Sequence, residues 1–68
     1  MDWRETLGRN VRRLRHSQGL SQEALADAAE IDPTYLRGIE AGRRNPSLLV
    51  MVRLAEALNT SAADLLVV

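Results

Sequence analysis

The stretch that decides the fold is GLSQEALADAAEIDPTYLRGIEAGRRNP, which occupies residues 19–46. Ser21 is a suitable N-cap for one short helix, and Asp32 followed by Pro33 is the start signal of a second. Only residues 30–32 separate the two helices. A turn this tight sets two short helices at a steep angle, so the spacing predicts a helix-turn-helix motif.

The residues before this stretch predict another helix. Trp3, Leu7, Val11 and Leu14 recur at steps of four, four and three residues, which marks one face of a helix. Gly19 is a typical residue just beyond a helix C-terminus. We therefore expect a first helix that packs this apolar face against the helix-turn-helix.

Two further helices are predicted towards the C-terminus. Ser47 caps a helix over residues 48–58, and Asn59 is its expected stop. A short fifth helix is expected over residues 62–67. No segment alternates apolar and polar residues with a period of two, so strands are not indicated. The expected fold is an all-α, compact five-helix bundle that forms a single domain over residues 1–68.

The composition argues against several classes of protein. The 68 residues contain no cysteine, so there is no disulfide framework and no zinc ribbon. The single histidine, His16, lies among arginines, which disfavours a metal cation. A chain this short can hardly enclose a catalytic cavity. We expect no enzyme activity, no cofactor, no metal and no small-molecule ligand.

The distribution of apolar residues also bears on location. The longest apolar runs are far shorter than the roughly 20 residues that a membrane helix needs. The N-terminus begins with charged residues rather than an apolar targeting segment. We expect a cytoplasmic protein that does not contact a membrane.

The formal net charge of zero hides alternating blocks of charge. Residues 1–20 carry a net charge of +3, residues 21–36 of −4, residues 37–53 of +3 and residues 54–68 of −2. The two basic blocks could meet in the folded chain and form a basic face. From charge alone, ordinary solvated helix residues are the better explanation of the pattern.

Residues 19–46 resemble the helix-turn-helix of the lambdoid-repressor and Cro type, most of all the small controller proteins of restriction–modification systems. The shared pattern is Gly-Leu-Ser-Gln-Glu, then a turn, then Thr-Tyr-Leu-x-Gly-Ile-Glu-x-Gly-x-Arg-Asn-Pro. Looser similarity covers residues 11–15 and 54–58. The resemblance implies a homodimeric, sequence-specific transcriptional regulator of bacterial or phage origin. Such a protein binds palindromic, double-stranded operator DNA with its third helix in the major groove.

The resemblance also implies which residues contact DNA. Base contacts are expected from the third helix, at Pro33, Thr34, Tyr35 and Arg37. Phosphate contacts are expected at Ser21, Gln22, Arg43, Arg44 and Asn45. Arg37 can reach a guanine with two donors or settle on a phosphate, and both interpretations remain open. Tyr35 either points its hydroxyl at DNA or serves as a partly buried packing residue.

Other positions match or depart from the family pattern. Arg15 and Glu40 match an ion pair that joins the first and third helices. Related controllers often carry Arg at the position of Pro33, a small residue at that of Arg37, and Gly at that of Glu30. Glu30 therefore predicts some backbone strain, or a slightly different turn, after the second helix.

Apolar residues outside the predicted core suggest self-association. The expected dimer interface is formed by Leu49, Val52, Leu66, Val67 and Val68. The alternative function is a protein-interaction module of the same fold, antitoxin-like or adaptor-like, with weak DNA binding. The net charge of zero favours that alternative, and the salt dependence of DNA affinity separates the two.

Overall fold

The computed structural model describes residues 2–68, and this part of the chain contains four α-helices. Helix α1 spans Trp3–Ser17, α2 Gln22–Ala29, α3 Pro33–Glu40 and α4 Leu48–Ala57. A 3-10 helix of three residues follows at Asp64–Leu66, and we call it the C-terminal turn. Helices α2 and α3 form the helix-turn-helix that their short separation predicts.

Each α-helix begins at a side chain that caps it. Asp2, Ser21, Asp32 and Ser47 precede the four helices, and each side-chain oxygen accepts a hydrogen bond from a backbone N–H of the first turn. Those N–H groups have no partner within the helix, so the caps stabilise the ends by about 1 kcal/mol each. The starts at Ser21, Asp32 and Ser47 agree with the cap residues identified in the sequence.

Each α-helix is followed by a residue in the left-handed conformation. Gly19, Glu30, Gly42 and Asn59 have φ values of 68°, 58°, 76° and 57°. Glycine adopts this conformation without strain, whereas glutamate does so at a cost. The strained turn that Glu30 predicts is therefore present, and the N–H of Ile31 bonds to the carbonyl of Ala26 across it at 2.9 Å.

The prediction of a five-helix bundle is wrong, although the all-α class is right. The helix expected over residues 62–67 is reduced to the C-terminal turn, and Val67 is extended, with φ −70° and ψ 129°. The Asn10 amide of α1 donates to the carbonyls of Leu65 and Val67, at 2.8 and 2.9 Å. These bonds tie the C-terminal backbone to α1, and nucleating a short α-helix is costly. The segment therefore forms a single 3-10 turn instead of an α-helix.

The apolar core lies between the four helices and the C-terminal turn. Leu36 and Ile39, three residues apart on one face of α3, are fully buried. Trp3 is 40 % exposed because it is the first residue of α1 and lies at the edge of the core. The buried aliphatic residues are Leu7, Val11, Leu25, Ala26, Ala29, Leu36, Ile39, Leu54, Ala55, Leu58 and Leu65.

Helix α1 crosses the C-terminal end of α3 at Gly8. A Cβ atom at this position would lie 2.5 Å from the carbonyl oxygen of Ile39 and 2.6 Å from that of Glu40. Only glycine allows two backbones to approach this closely. This close approach fixes the position of the C-terminal end of α3 against α1. Within residues 2–68, no helix is both long and apolar enough to cross a bilayer.

Candidate nucleic-acid interface

A buried ion pair joins α1 to the end of α3. The Nε of Arg15 donates to Oε2 of Glu40 at 2.7 Å, and its Nη2 donates to Oε1 at 3.0 Å. The two side chains are only 10 % and 4 % exposed. The hydrogen bond to Glu40 raises the pKa of Arg15 above its ordinary value. The structure thus brings together the two residues that the family pattern pairs, in a bidentate geometry.

The same carboxylate also holds α2. The side-chain amide of Gln22 donates to Oε1 of Glu40 at 3.1 Å, and Nη1 of Arg15 donates to the carbonyl of Leu20 at 2.9 Å. We call Arg15, Gln22 and Glu40 the brace. Because it spans three helices, the brace fixes the orientation of α3 against the rest of the molecule. Gln22, expected to contact a phosphate, thus also has a structural role.

The outer face of α3 presents exposed polar side chains. Nη2 of Arg37 donates to the hydroxyl oxygen of Thr34 at 3.1 Å. Its Nη1 lies 3.6 Å from Oε2 of Glu23 on α2, and the two side chains are 48 % and 69 % exposed. We call Arg37, Thr34 and Glu23 the reading face. The ion pair with Glu23 is long and both side chains are solvated, so Arg37 can exchange these contacts for contacts with a ligand at little cost.

Beside this face, Tyr35 forms a cation–π pair with the loop after α3. The guanidinium carbon of Arg44 lies 4.7 Å from the centroid of the Tyr35 ring. The stem of Arg44 also covers Gly38, where a Cβ atom would lie 2.5 Å from its Cγ. Gly38 is therefore buried beneath the Arg44 side chain. Tyr35 itself is half-buried.

A groove between α1 and the helix-turn-helix collects several basic groups. Arg12 and His16 of α1 line it on one side, and Ser21, at the start of α2, and Arg37 line it on the other. The two basic blocks of the sequence thus meet here. Because the N-terminus of α2 also carries a partial positive charge, the groove favours an anion.

Three further residues predicted to contact DNA lie outside the groove. Arg43 and Asn45 are exposed in the loop between α3 and α4, and Pro33 is half-buried at the start of α3. Asn45 borders a hollow that it shares with Trp3 and Arg4 at the start of α1. Pro33, Arg43 and Asn45 therefore do not line the groove.

Apart from Trp3, the large apolar side chains that are exposed in residues 2–68 lie on α4 and at the C-terminal end. Leu48, Leu49 and Val52 are exposed on α4, and Leu66, Val67 and Val68 are exposed at the C-terminal end. Five of these six are the residues expected at a dimer interface, and Leu48 is an addition. We call all six the apolar end residues.

Three residues important for this arrangement were not identified from the sequence. Gly8 lies inside the first helix, where glycine is unfavourable by about 1 kcal/mol relative to alanine, and this was a usable signal of close packing. Asn10 falls between Leu7 and Val11 of the apolar face, which was a usable signal of a buried polar group. Glu23 carries no such signal, because its partner Arg37 is distant in the sequence.

Comparison with known proteins identifies the family. Residues 11–65 match the family described as Helix-turn-helix. The chain belongs to the helix-turn-helix family. Control protein C.SmaI of Serratia marcescens is 44% identical over 66 residues, which cover 97% of this chain and 79% of that protein. The HTH-type transcriptional regulator y4dJ of Sinorhizobium fredii is 40% identical over 65 residues, which cover 96% of this chain and 84% of the regulator.

A solved structure of a helix-turn-helix protein has the same fold. The restriction–modification controller protein C.AhdI from Aeromonas hydrophila superimposes with a TM-score of 0.88 at 40% identity, covering 91% of this chain and 94% of that one. The similarity of residues 19–46 to restriction–modification controllers is therefore confirmed. The relatives named here are regulators and control proteins rather than enzymes.

Proposed function

We propose that this helix-turn-helix chain is a single-domain, sequence-specific DNA-binding regulator that acts as a homodimer on palindromic operator DNA. The observation that carries the proposal is that Thr34 and Arg37 of the reading face are exposed on α3, while the Arg15–Glu40 pair of the brace is buried. An exposed polar helix on a fixed support is what insertion into the major groove requires. The names of the relatives, transcriptional regulator and control protein, support the same activity.

In the proposed complex, α3 lies in the major groove and the basic groove of α1 and α2 lies along the phosphates. Thr34 and Arg37 face base edges, where arginine can donate twice to guanine and a threonine methyl can contact thymine. Ser21 and Gln22 hold a phosphate at the N-terminus of α2. Pro33 and Tyr35 border the bases, and Arg43, Arg44 and Asn45 follow the backbone and fix the orientation of the domain.

The proposed dimer forms through the apolar end residues. A domain of this size has a small core, so burying exposed leucine and valine in a second copy is a substantial gain. A twofold dimer would place the two α3 helices about 34 Å apart, one turn of DNA. Leu66→Asp should then yield monomers, whereas a charge change at an exposed residue of α3, such as Thr34→Asp, should not.

The test is the selection of bound sequences from random double-stranded DNA, followed by affinity measurements against salt. The proposal predicts an inverted repeat and an affinity that falls steeply as salt rises. A single half-site would contradict the dimer. Failure to enrich any sequence, with a nearly flat salt dependence, would favour a protein-interaction module, for which the net charge of zero is the supporting feature.

A further inference from the structure

The C-terminal end of the chain is tied to α1 by one buried polar side chain. Asn10 is 6 % exposed among apolar neighbours, where an unpaired amide would be unfavourable. Its Nδ2 donates one proton to the carbonyl of Leu65 at 2.8 Å and the other to the carbonyl of Val67 at 2.9 Å. Both donors of the amide are therefore used on backbone that follows the last α-helix by several residues.

These two bonds determine the path of the final residues. In residues 2–68, the backbone N–H of Val67 bonds to the Asp64 carbonyl only at 3.4 Å, which is long for such a bond. Leu65 is fully buried, whereas the exposed fraction of Val68 is 82 %. Leu66 is held by a backbone bond to the Ala63 carbonyl at 3.1 Å, and the shorter bonds from Asn10 hold the carbonyls of Leu65 and Val67 on either side of it.

We propose that Asn10 is a positioning residue for the dimer surface, an inference that rests on the dimer proposed above. By holding the backbone of Leu65 and Val67, Asn10 orders the side chains of Leu66, Val67 and Val68 before a second copy of this chain arrives. Ordering a free chain end during association would consume part of the binding free energy through lost conformational entropy. A surface that is already ordered avoids this loss and binds more tightly.

The first measurement concerns the monomer, so it does not depend on the dimer. In a Leu66→Asp monomer, backbone 15N relaxation should show Val67 as rigid as the α-helices. Adding Asn10→Ala should make Val67 and Val68 mobile on the nanosecond timescale, while α1 to α4 keep their order. If Asn10→Ala fails to fold, Asn10→Ser, which keeps one donor, should give intermediate mobility.

The second measurement is the dimer dissociation constant from sedimentation over a range of concentrations. Asn10→Ala should weaken the dimer at least tenfold. Thr6→Ala is the matched control, because Thr6 is buried one turn earlier on α1 and its truncation should leave the dimer within about twofold of wild type.

The outcomes separate the two proposals. If Leu66→Asp and wild type have the same mass, the dimer proposal fails. If Leu66→Asp is monomeric but Asn10→Ala leaves the tail rigid, or leaves the dimer dissociation constant within twofold, the inference about Asn10 is overturned while the dimer stands. Equal weakening by Thr6→Ala would also overturn it, because general destabilisation would then explain the effect.

Discussion

The brace and the reading face are built from the same chemistry in different surroundings. In the brace, Arg15 meets Glu40 with two bonds of 2.7 and 3.0 Å, and both side chains are almost fully buried. On the reading face, Arg37 approaches Glu23 only to 3.6 Å, and both side chains are about half exposed or more. Burial and bidentate geometry make the first pair a fixed support, whereas the second is loose and solvated.

This difference suggests how so small a domain can be both stable and able to bind a ligand. A side chain that contacts bases must leave its own partners at little cost, and surface ion pairs contribute only about 0 to 1 kcal/mol. A side chain that orients a helix must not leave its partner at all. The two requirements are met by two arginines on different helices, which the following experiments separate.

The largest effect is expected from breaking the brace. Arg15→Met leaves the Glu40 carboxylate buried without a cation, so the free energy of unfolding should fall by about 3–5 kcal/mol. Urea denaturation at constant pH measures the loss. Arg9→Met, an exposed arginine on the same helix, should change stability by less than about 0.5 kcal/mol. A loss below about 1 kcal/mol for Arg15→Met would mean that the pair does not act as a support.

A somewhat smaller effect is expected where α1 meets the end of α3. Gly8→Ala places a methyl group 2.5 Å from the Ile39 carbonyl oxygen, so the two helices must move apart. Overpacking of this kind is unfavourable by about 1–3 kcal/mol. Thermal unfolding measures the effect, with Ala24→Gly at an exposed helix site as a control of about 1 kcal/mol. A stabilised Gly8→Ala variant would contradict the close crossing, because alanine is otherwise the better helix former.

On the reading face, the effects should appear in DNA binding rather than in stability. Arg37→Ala should reduce affinity for the selected sequence by roughly 1–3 kcal/mol and relax the preference at about one or two base pairs. Arg43→Ala should weaken all sequences alike and reduce the salt slope by about one unit. Arg44→Ala should behave like Arg43→Ala, with a further change in stability from the lost contact to Tyr35.

The outcome for Arg37 decides between its two interpretations. If Arg37→Ala keeps the selected motif and reduces only the salt slope, Arg37 contacts a phosphate. Specificity would then depend on Thr34, Tyr35 and the shape of the DNA.

The smallest stability effect is expected at the turn between α2 and α3. Because Glu30 has a φ of 58°, Glu30→Gly should stabilise the domain by up to about 1 kcal/mol. Glu30→Ala keeps a Cβ atom and should bring no such gain. The midpoint of thermal unfolding distinguishes the two variants, and a lower midpoint for Glu30→Gly would show that the glutamate makes a contact the fold needs.

The helices of this fold could be predicted from local signals. Cap residues such as Ser21 and Asp32 and left-handed residues such as Asn59 act within one turn of backbone, so the sequence alone locates them. The fifth helix was wrongly predicted because the Asn10 bonds that reshape the C-terminal end join residues more than 50 positions apart. Local patterning contains no information about such a contact.

The candidate site also contains features that the sequence predicts and features that depend on contacts between distant residues. The family pattern supplied Arg15 and Glu40 as a pair. The exposure of Thr34 and Arg37 follows from helix periodicity, because Leu36 and Ile39 occupy the buried face of α3. The position of Glu23 beside Arg37 could not be predicted, since it depends on the angle between α2 and α3. The burial of Gly38 under Arg44 likewise depends on the path of a loop.

The most direct test of the account is a matched pair of glutamate variants, each compared with wild type in unfolding free energy and in affinity for the selected DNA. Glu40→Gln removes the charge behind the buried Arg15 and should cost about 3 kcal/mol of stability. Glu23→Gln should leave stability within about 0.5 kcal/mol. It should raise DNA affinity about twofold or more, because Arg37 loses a competitor and the DNA loses a repelling charge. Equal destabilisation by the two variants, or weaker DNA binding by Glu23→Gln, would contradict the division between a buried support and an exposed reading face.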